Sequence, residues 1–120
     1  MKKALIIEDN PDVLDVLSRQ LEMLGFAVFT ASNGEDGVEK ASEEKPDLIL
    51  MDIMMPGMDG REATRRIRSN PMSKEIPILA TTVLFTELEL NKCIEAGCND
   101  YIVKPFTFEE LREKIQATIP

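Results

Sequence analysis

Short apolar runs alternate with amphipathic segments along the whole chain. The runs are rich in Ile, Leu, Val and Ala, as in strands, whereas apolar residues in the intervening segments recur every three or four positions, as on one face of a helix. We predict strands over 3–8, 26–31, 47–52, 78–82 and 100–103. The run from Leu48 to Met51 is apolar throughout, which is typical of a strand buried on both faces of a parallel sheet.

A polar residue suited to capping precedes each predicted helix. Asn10 stands before Pro11, a residue favoured at the first helical position. The other helix starts combine a polar residue with a following Glu, as in a capping box, and they are Ser32/Asn33 with Glu35, Asp59 with Glu62, Thr86 with Glu89 and Thr107 with Glu110. Gly25 and Gly97 are typical helix ends, and Pro46 stops the second helix.

The regular alternation of strand and helix determines the predicted fold class. It indicates an α/β protein with a parallel sheet, right-handed crossovers and helices on both faces. Of the common doubly wound arrangements, the five-stranded order 2-1-3-4-5 suits a chain of 120 residues. We expect one domain over residues 1–120, long enough to bury a core without disulfides or metal.

Composition limits the chemistry available to this fold. The formal net charge is -8 and the chain has no histidine, which excludes Ser-His-Asp triads, Cys-His pairs and His-based metal sites. An acidic surface disfavours direct binding to nucleic acid and to anionic membranes. Since no stretch reaches membrane-spanning length, we expect a cytoplasmic protein that contacts neither nucleic acid nor membrane directly.

Two groups of residues that can mark function are interpreted as structural. Cys93 and Cys98 lack the spacing and partners of a zinc site, and we expect them to be reduced and buried. The arginines of the third predicted helix are interpreted as a solvated face, and they are Arg61, Arg65, Arg66 and Arg68.

Carboxylates stand where two of the predicted strands end. Glu8 and Asp9 follow the first strand and Asp52 ends the third, and these strands flank the switch point of a 2-1-3-4-5 sheet. We therefore expect the three carboxylates to converge. Taken alone, Asp52 is explained equally well as a cap of the Pro/Gly-rich loop that follows it.

Crowded carboxylates repel one another, and a divalent cation offsets that repulsion. Oxygen ligands without His or Cys favour a hard ion, and Mg²⁺ is the one that keeps waters and accepts phosphate. Thr82 and Lys104, at the ends of the fourth and fifth strands, are expected at the same edge of the sheet. Together with a nucleophilic Asp52 they suit phosphoryl transfer to a carboxylate. Singly, Lys104 is equally an ion-pair partner of Asp52, and Thr82 a buried hydroxyl satisfied locally.

Further motifs accompany these residues at fixed places along the chain. They are Met55-Pro56-Gly57 and Asp59-Gly60 behind Asp52, Tyr101 in the fifth strand, and Pro105-Phe106 behind Lys104. With Glu8-Asp9 and Thr82, they resemble the receiver domain of two-component response regulators over essentially the whole chain. The resemblance implies a flavodoxin-like fold and phosphorylation of Asp52 by a histidine kinase or a phosphotransfer protein.

The same resemblance implies a role for each matching residue. Mg²⁺ is expected to be held by Glu8, Asp9, Asp52 and the backbone carbonyl of Met54. Thr82 is expected to bond the phosphoryl group, Lys104 to pair with it, and the Lys104-Pro105 peptide bond to be cis.

The resemblance also implies a switch. Thr82 moves toward the phosphoryl oxygens, Tyr101 swings inward, and the surface of the fourth helix, fifth strand and fifth helix, about residues 86–119, changes for a protein partner. Tyr101 is equally interpreted as a half-buried aromatic of an edge strand. No enzymatic activity is expected beyond self-phosphorylation and self-dephosphorylation at Asp52.

One position departs from the family pattern. Val83 stands where the family usually has a very small residue, and its branched side chain is expected to narrow access to Asp52 and slow loading from small phosphodonors. Met54 and Leu84 are apolar at positions that border the phosphoryl group in the family, so a long-lived phosphoaspartate is expected.

Two other functions are compatible with parts of this pattern. A Mg²⁺-dependent aspartate-nucleophile phosphatase needs a positioned acid two residues beyond the nucleophile, where this chain has Met54. A phosphorylation-independent pseudo-receiver module is expected to have lost one of the site residues, and none is lost. If the chain is complete, its output runs through protein contacts; if it is part of a larger protein, the output lies elsewhere.

Overall fold

Five strands and five helices alternate along the chain in the computed structural model, which describes residues 1–83 and 86–119. In chain order they are β1 (Lys3–Ile7), α1 (Pro11–Met23), β2 (Ala27–Ala31), α2 (Gly34–Glu44), β3 (Leu48–Asp52), α3 (Gly60–Ser69), β4 (Ile78–Thr82), α4 (Glu87–Ala96), β5 (Asp100–Val103) and α5 (Phe108–Thr118). The predicted strands lie within a residue of these bounds. None of the helices in the described ranges has the length and apolarity needed to cross a membrane.

The strands form a parallel sheet in the order β2-β1-β3-β4-β5. This order confirms the predicted doubly wound α/β fold. In the register of the central strands, Ile7 lies opposite Met51, and Asp52 lies opposite Thr81. The carboxyl ends of β1 and β3 are therefore neighbours, and the segment that follows β1 runs beside Asp52.

The sheet buries both of its faces. Leu5, Ile7 and Met51 belong to a core shared with α2, α3 and α4, whereas Ile6 and Leu50 belong to a second core shared with α1 and α5. Burying one such side chain contributes about 1.5–3 kcal/mol. The apolar run that ends at Asp52 is buried along its whole length, as predicted.

The helix caps explain where most helices begin. The side chain of Asn10 accepts hydrogen bonds from the backbone N–H groups of Asp12 and Val13, at 2.9 and 3.2 Å. Thr107 and Glu110 form the predicted reciprocal capping box of α5. Gly25 has φ +93°, in the left-handed region that a helix end of this type requires.

The start of α2 differs from the prediction. Its cap is Asn33, whose side chain accepts a 2.8 Å hydrogen bond from the N–H of Asp36, so Glu35 is not the partner. Asn33 and Asp36 also bond through their side chains. A one-residue shift of the cap moves the partner by one residue, because the bond spans three positions.

The arginines of α3 do not all lie on a solvated face, which corrects the prediction for two of them. Arg65 and Arg66 are exposed and pair with Glu62 in the same helix. Arg68 instead donates to the backbone carbonyls of Gly97 and Lys74 and to the side chain of Asn99, and its partial burial was not visible from composition.

Arg61 is the second exception. Its side chain is largely buried and lies 3.2 Å from a carboxylate oxygen of Glu89, which links the first turns of α3 and α4.

The cysteines behave as predicted, since Cys93 and Cys98 are both free and buried. Burial raises the pKa of the Cys98 thiol to about 11.

Candidate functional site

Three carboxylates meet at the carboxyl edge of the sheet. The ligand oxygens of Glu8, Asp9 and Asp52, here called the acidic cluster, lie within 4.8 Å of one another. Glu8 and Asp52 are almost fully buried, and Asp9 is exposed. The predicted convergence is therefore present, and it follows from the register that makes β1 and β3 neighbours.

The chain around β1 holds Glu8 in place. Its backbone N–H donates to the carbonyl of Ala31 at 3.1 Å, which continues the pairing of β1 with β2 beyond the strand. One carboxylate oxygen of Glu8 accepts the N–H of Asn10 at 3.1 Å. The other oxygen is directed to Lys104.

Lys104 connects two members of the acidic cluster. Its Nζ lies 3.1 Å from Oε1 of Glu8 and 3.3 Å from Oδ1 of Asp52. The backbone N–H of Lys104 donates to the carbonyl of Thr82 at 2.7 Å, and the peptide bond to Pro105 is cis. The ion pair considered from the sequence is present, and it places an ammonium beside the Asp52 carboxylate.

Burial dominates the electrostatics of Asp52. It raises the pKa of this carboxyl to about 7; the Lys104 ammonium acts to lower that pKa, and the Glu8 carboxylate acts to raise it. Burial acts to lower the pKa of Lys104, but Asp52 and Glu8 act more strongly in the other direction, and the net shift is upward. One lysine thus compensates the buried carboxylates only in part.

The donor atoms of the acidic cluster fit a hard divalent cation. All three residues offer carboxylate oxygens, the ligand type that such ions prefer. Two of the carboxylates are buried, so added positive charge would relieve repulsion that solvent does not screen.

Gly60 allows the loop after Asp52 to close tightly. A Cβ atom at this position would lie 2.3 Å from the backbone oxygen of Asp52. The N–H of Gly60 donates to the carbonyl of Ile53 at 3.0 Å, and Ile53 donates to Thr81 at 3.1 Å. The Asp59-Gly60 motif was noted in the sequence, but the reason for its glycine requires the backbone approach that the fold creates.

The remaining predicted residues lie on β4, on β5 and next to the ends of β3 and β4. Thr82 is fully buried at the carboxyl end of β4, and Tyr101 is half-buried in the edge strand β5. Met54 and Val83 are exposed next to the ends of β3 and β4. The expectation about Leu84 concerns a residue outside the described ranges.

Comparison with known proteins decides the family. A family model for the response regulator receiver domain matches residues 4–116. The chain belongs to this family. It is a receiver domain of two-component signalling, as the sequence motifs predicted.

A transcriptional regulator is among the relatives of this receiver domain. The alkaline phosphatase synthesis transcriptional regulatory protein PhoP of Bacillus subtilis (strain 168) is 36% identical over 118 residues, which are 98% of this chain and 48% of that protein. The chain thus spans about half the length of this curated relative.

Solved structures share the fold of this receiver domain closely. Chemotaxis protein CheY4 of Vibrio cholerae has a TM-score of 0.94 at 29% identity, with 99% of each chain covered. The receiver domain of sensor histidine kinase PA1611 from Pseudomonas aeruginosa PAO1 has a TM-score of 0.90 at 36% identity, over 98% of this chain and 96% of that one. The latter structure is described with a magnesium ion coordinated in its active site cleft.

Proposed function

We propose that Asp52 of this receiver domain accepts a phosphoryl group from a histidine kinase or a histidine phosphotransfer protein, in the presence of Mg²⁺. The observation that carries the proposal is the buried Asp52 carboxylate, held beside Glu8, Asp9 and the ammonium of Lys104. This arrangement joins a nucleophile, cation ligands and a positive charge at one edge of the sheet.

The proposed transfer forms one bond and breaks another. A carboxylate oxygen of Asp52 attacks phosphorus, and the bond between phosphorus and the donor breaks as the donor takes the electron pair. Lys104, 3.3 Å from Oδ1 of Asp52, is positioned to pair with a phosphoryl oxygen. Because positive charge from Lys104 and from a bound cation favours the ionised form of Asp52, the chain needs no histidine as a base.

The acidic cluster would hold the cation. Glu8, Asp9 and Asp52 supply carboxylate oxygens, and the backbone carbonyl of Met54 is proposed as a further ligand. When bound, Mg²⁺ neutralises charge on the phosphoryl oxygens. The Mg²⁺-containing receiver structure among the similar proteins supports this assignment.

Phosphorylation is proposed to switch the surface formed by α4, β5 and α5, here called the α4-β5-α5 face. The modification adds about -1.5 to -2 in charge. Thr82 would bond the phosphoryl group, and Tyr101 would move inward to repack β5. A protein target that binds the α4-β5-α5 face would then distinguish the two states.

The remaining parts of the proposal follow from composition and length. We infer one receiver domain over residues 1–120, located in the cytoplasm, with no direct binding to nucleic acid or membrane. A net charge of -8 supports the inference that the domain binds neither nucleic acid nor membrane directly, because phosphate backbones and anionic lipids repel such a surface. Its chemistry is limited to gaining and losing the phosphoryl group at Asp52.

The test is intact mass after incubation with acetyl phosphate and Mg²⁺. We expect one labile phosphoryl group on the wild type and none on Asp52→Asn or after addition of EDTA. If the wild type gains no group and also fails to bind Mg²⁺ with beryllofluoride by calorimetry, the chain is a pseudo-receiver and the proposal is wrong.

A further inference from the structure

A lysine of α5 covers the ring of the proposed switch residue. The Nζ of Lys114 lies 5.3 Å from the centroid of the Tyr101 ring. The same ammonium lies 3.2 and 3.4 Å from the carboxylate oxygens of Asp100. Asp100 also accepts the backbone N–H of Tyr101 at 2.8 Å. These three residues form one contact set at the edge strand of the sheet.

Tyr101 and Thr82 lie on the same face of the sheet. Tyr101 is opposite Ala80 in the register of β4 and β5, and both pack in the core shared with α2, α3 and α4. Thr82 follows Ala80 by two positions and therefore points to that same face. In the proposed switch, movement of Thr82 would therefore change the packing on the face that the Tyr101 ring shares.

We propose that Lys114 is a positioning residue that holds Tyr101 in its observed half-buried place and so opposes the switch. The inference rests on the proposed function, in which phosphorylation draws Tyr101 inward. It adds a residue of α5 that sets how readily this happens through its contacts with Asp100 and the Tyr101 ring.

Because Lys114 is also paired with Asp100, its ammonium can contact the Tyr101 ring in only one position of the ring. An ammonium bound to a carboxylate of β5 remains at the edge of the sheet, so an inward movement of the ring separates the two groups. Cation–π contacts at partly exposed sites change an equilibrium by about two- to fivefold. Loss of Lys114 should therefore favour the switched state by about that factor, because a ligand of that state binds in proportion to its population.

Tyr101 provides its own probe. It is the only tyrosine of the chain, and the chain has no tryptophan. Tyrosine emission and its quenching by acrylamide therefore report on this ring alone. We would measure both while titrating Mg²⁺ with beryllofluoride, a phosphoryl analogue, and obtain the affinity by calorimetry.

Two variants distinguish the positioning of Tyr101 by Lys114 from the general effect of changing a lysine that covers an aromatic ring. Lys114→Arg keeps a cation that can cover the ring and pair with Asp100. Lys3→Met is the matched control, because Lys3 covers Phe29 of the opposite edge strand at 5.5 Å and also pairs with Glu44. Thermal unfolding of each variant shows whether a change in affinity accompanies a change in stability.

We expect Lys114→Met to bind the analogue about two- to fivefold more tightly than the wild type. Its tyrosine should also be less accessible to acrylamide before ligand is added, with Lys114→Arg and Lys3→Met resembling the wild type. Unchanged or weaker binding by Lys114→Met overturns the proposal, as does an equal effect of Lys3→Met.

Measurements on the wild type distinguish a failure of this inference from a failure of the proposed function on which it rests. Binding of the analogue without any change in tyrosine emission or quenching refutes the role of Tyr101, and with it that of Lys114, while leaving the phosphoacceptor chemistry intact. If the wild type does not bind the analogue at all, the proposed function itself fails.

Discussion

At the scale of single residues, Asp52 combines two conflicting requirements. To act as the proposed nucleophile it must be ionised, yet burial raises its pKa to about 7. Lys104 offsets this effect only in part. Added positive charge at this site would favour the ionised form of Asp52, which supports the proposed role of a cation.

The raised pKa predicts how stability depends on pH in the absence of a cation. An acid whose pKa is higher in the folded state than its usual 3.8 destabilises the fold as pH rises from about 4 to about 7. Asp52→Asn should therefore raise the unfolding temperature in EDTA at pH 8, and the gain should shrink toward pH 4. A gain of equal size at both pH values would show that ionisation of Asp52 is not the cause.

Val83 provides a second prediction at this scale. We expect the branched side chain of Val83 to hinder small phosphodonors. Val83→Ala should therefore accept a phosphoryl group from acetyl phosphate about two- to fivefold faster, because lowering the activation free energy by about 0.5–1 kcal/mol produces that change in rate. Val16→Ala in α1 is the control, because Val16 is 53% exposed and Val83 is 52% exposed. Equal rates for wild type and Val83→Ala would refute the hindrance.

At the scale of elements, α4 differs from the strands that build the site. Within α4, all of whose residues are described, Cys93 and Ala96 are the buried ones. The pair between Arg61 and Glu89 adds a tie to α3. By contrast, every residue of β3 is buried. The element that follows the proposed switch residue Thr82 is thus the more weakly packed one.

This packing predicts local opening of α4. Arg61→Ala should speed amide hydrogen exchange in α4 by about two- to fivefold, the effect of losing an ion pair worth about 0.5–1 kcal/mol. Exchange in β3 should not change. Arg65→Ala is the control, since Arg65 pairs with Glu62 inside α3. Slower or unchanged exchange in α4 would show that the pair does not hold the helix.

Sequence patterns predicted the elements well for a physical reason. Strands buried on both faces are continuous apolar runs, and caps are local bonds between residues a few positions apart. The exceptions depend on contacts between elements. Burial of Arg61 and Arg68 depends on where α4 and the segment after it lie, and the position of Lys114 over Tyr101 depends on how α5 packs.

At the scale of the whole molecule, the sheet order creates the site. Register places the ends of β1 and β3 side by side, which brings Glu8 and Asp9 to Asp52 from distant parts of the chain. This convergence was predictable, because alternating strands and helices indicate a doubly wound sheet and five strands suit the order 2-1-3-4-5. The fully buried side chains on both faces of the central strands hold that register.

The central claim concerns which carboxylate accepts the phosphoryl group, and borohydride reduction tests it directly. Reduction of an acyl phosphate converts the modified aspartate to homoserine, which peptide mass spectrometry locates. After phosphorylation by acetyl phosphate with Mg²⁺, we predict homoserine at position 52 and no side chain reduced to an alcohol at the other Asp or Glu residues among the 22 in the chain. Reduction at Asp9 or at any other acidic residue, with Asp52 unmodified, would contradict the account.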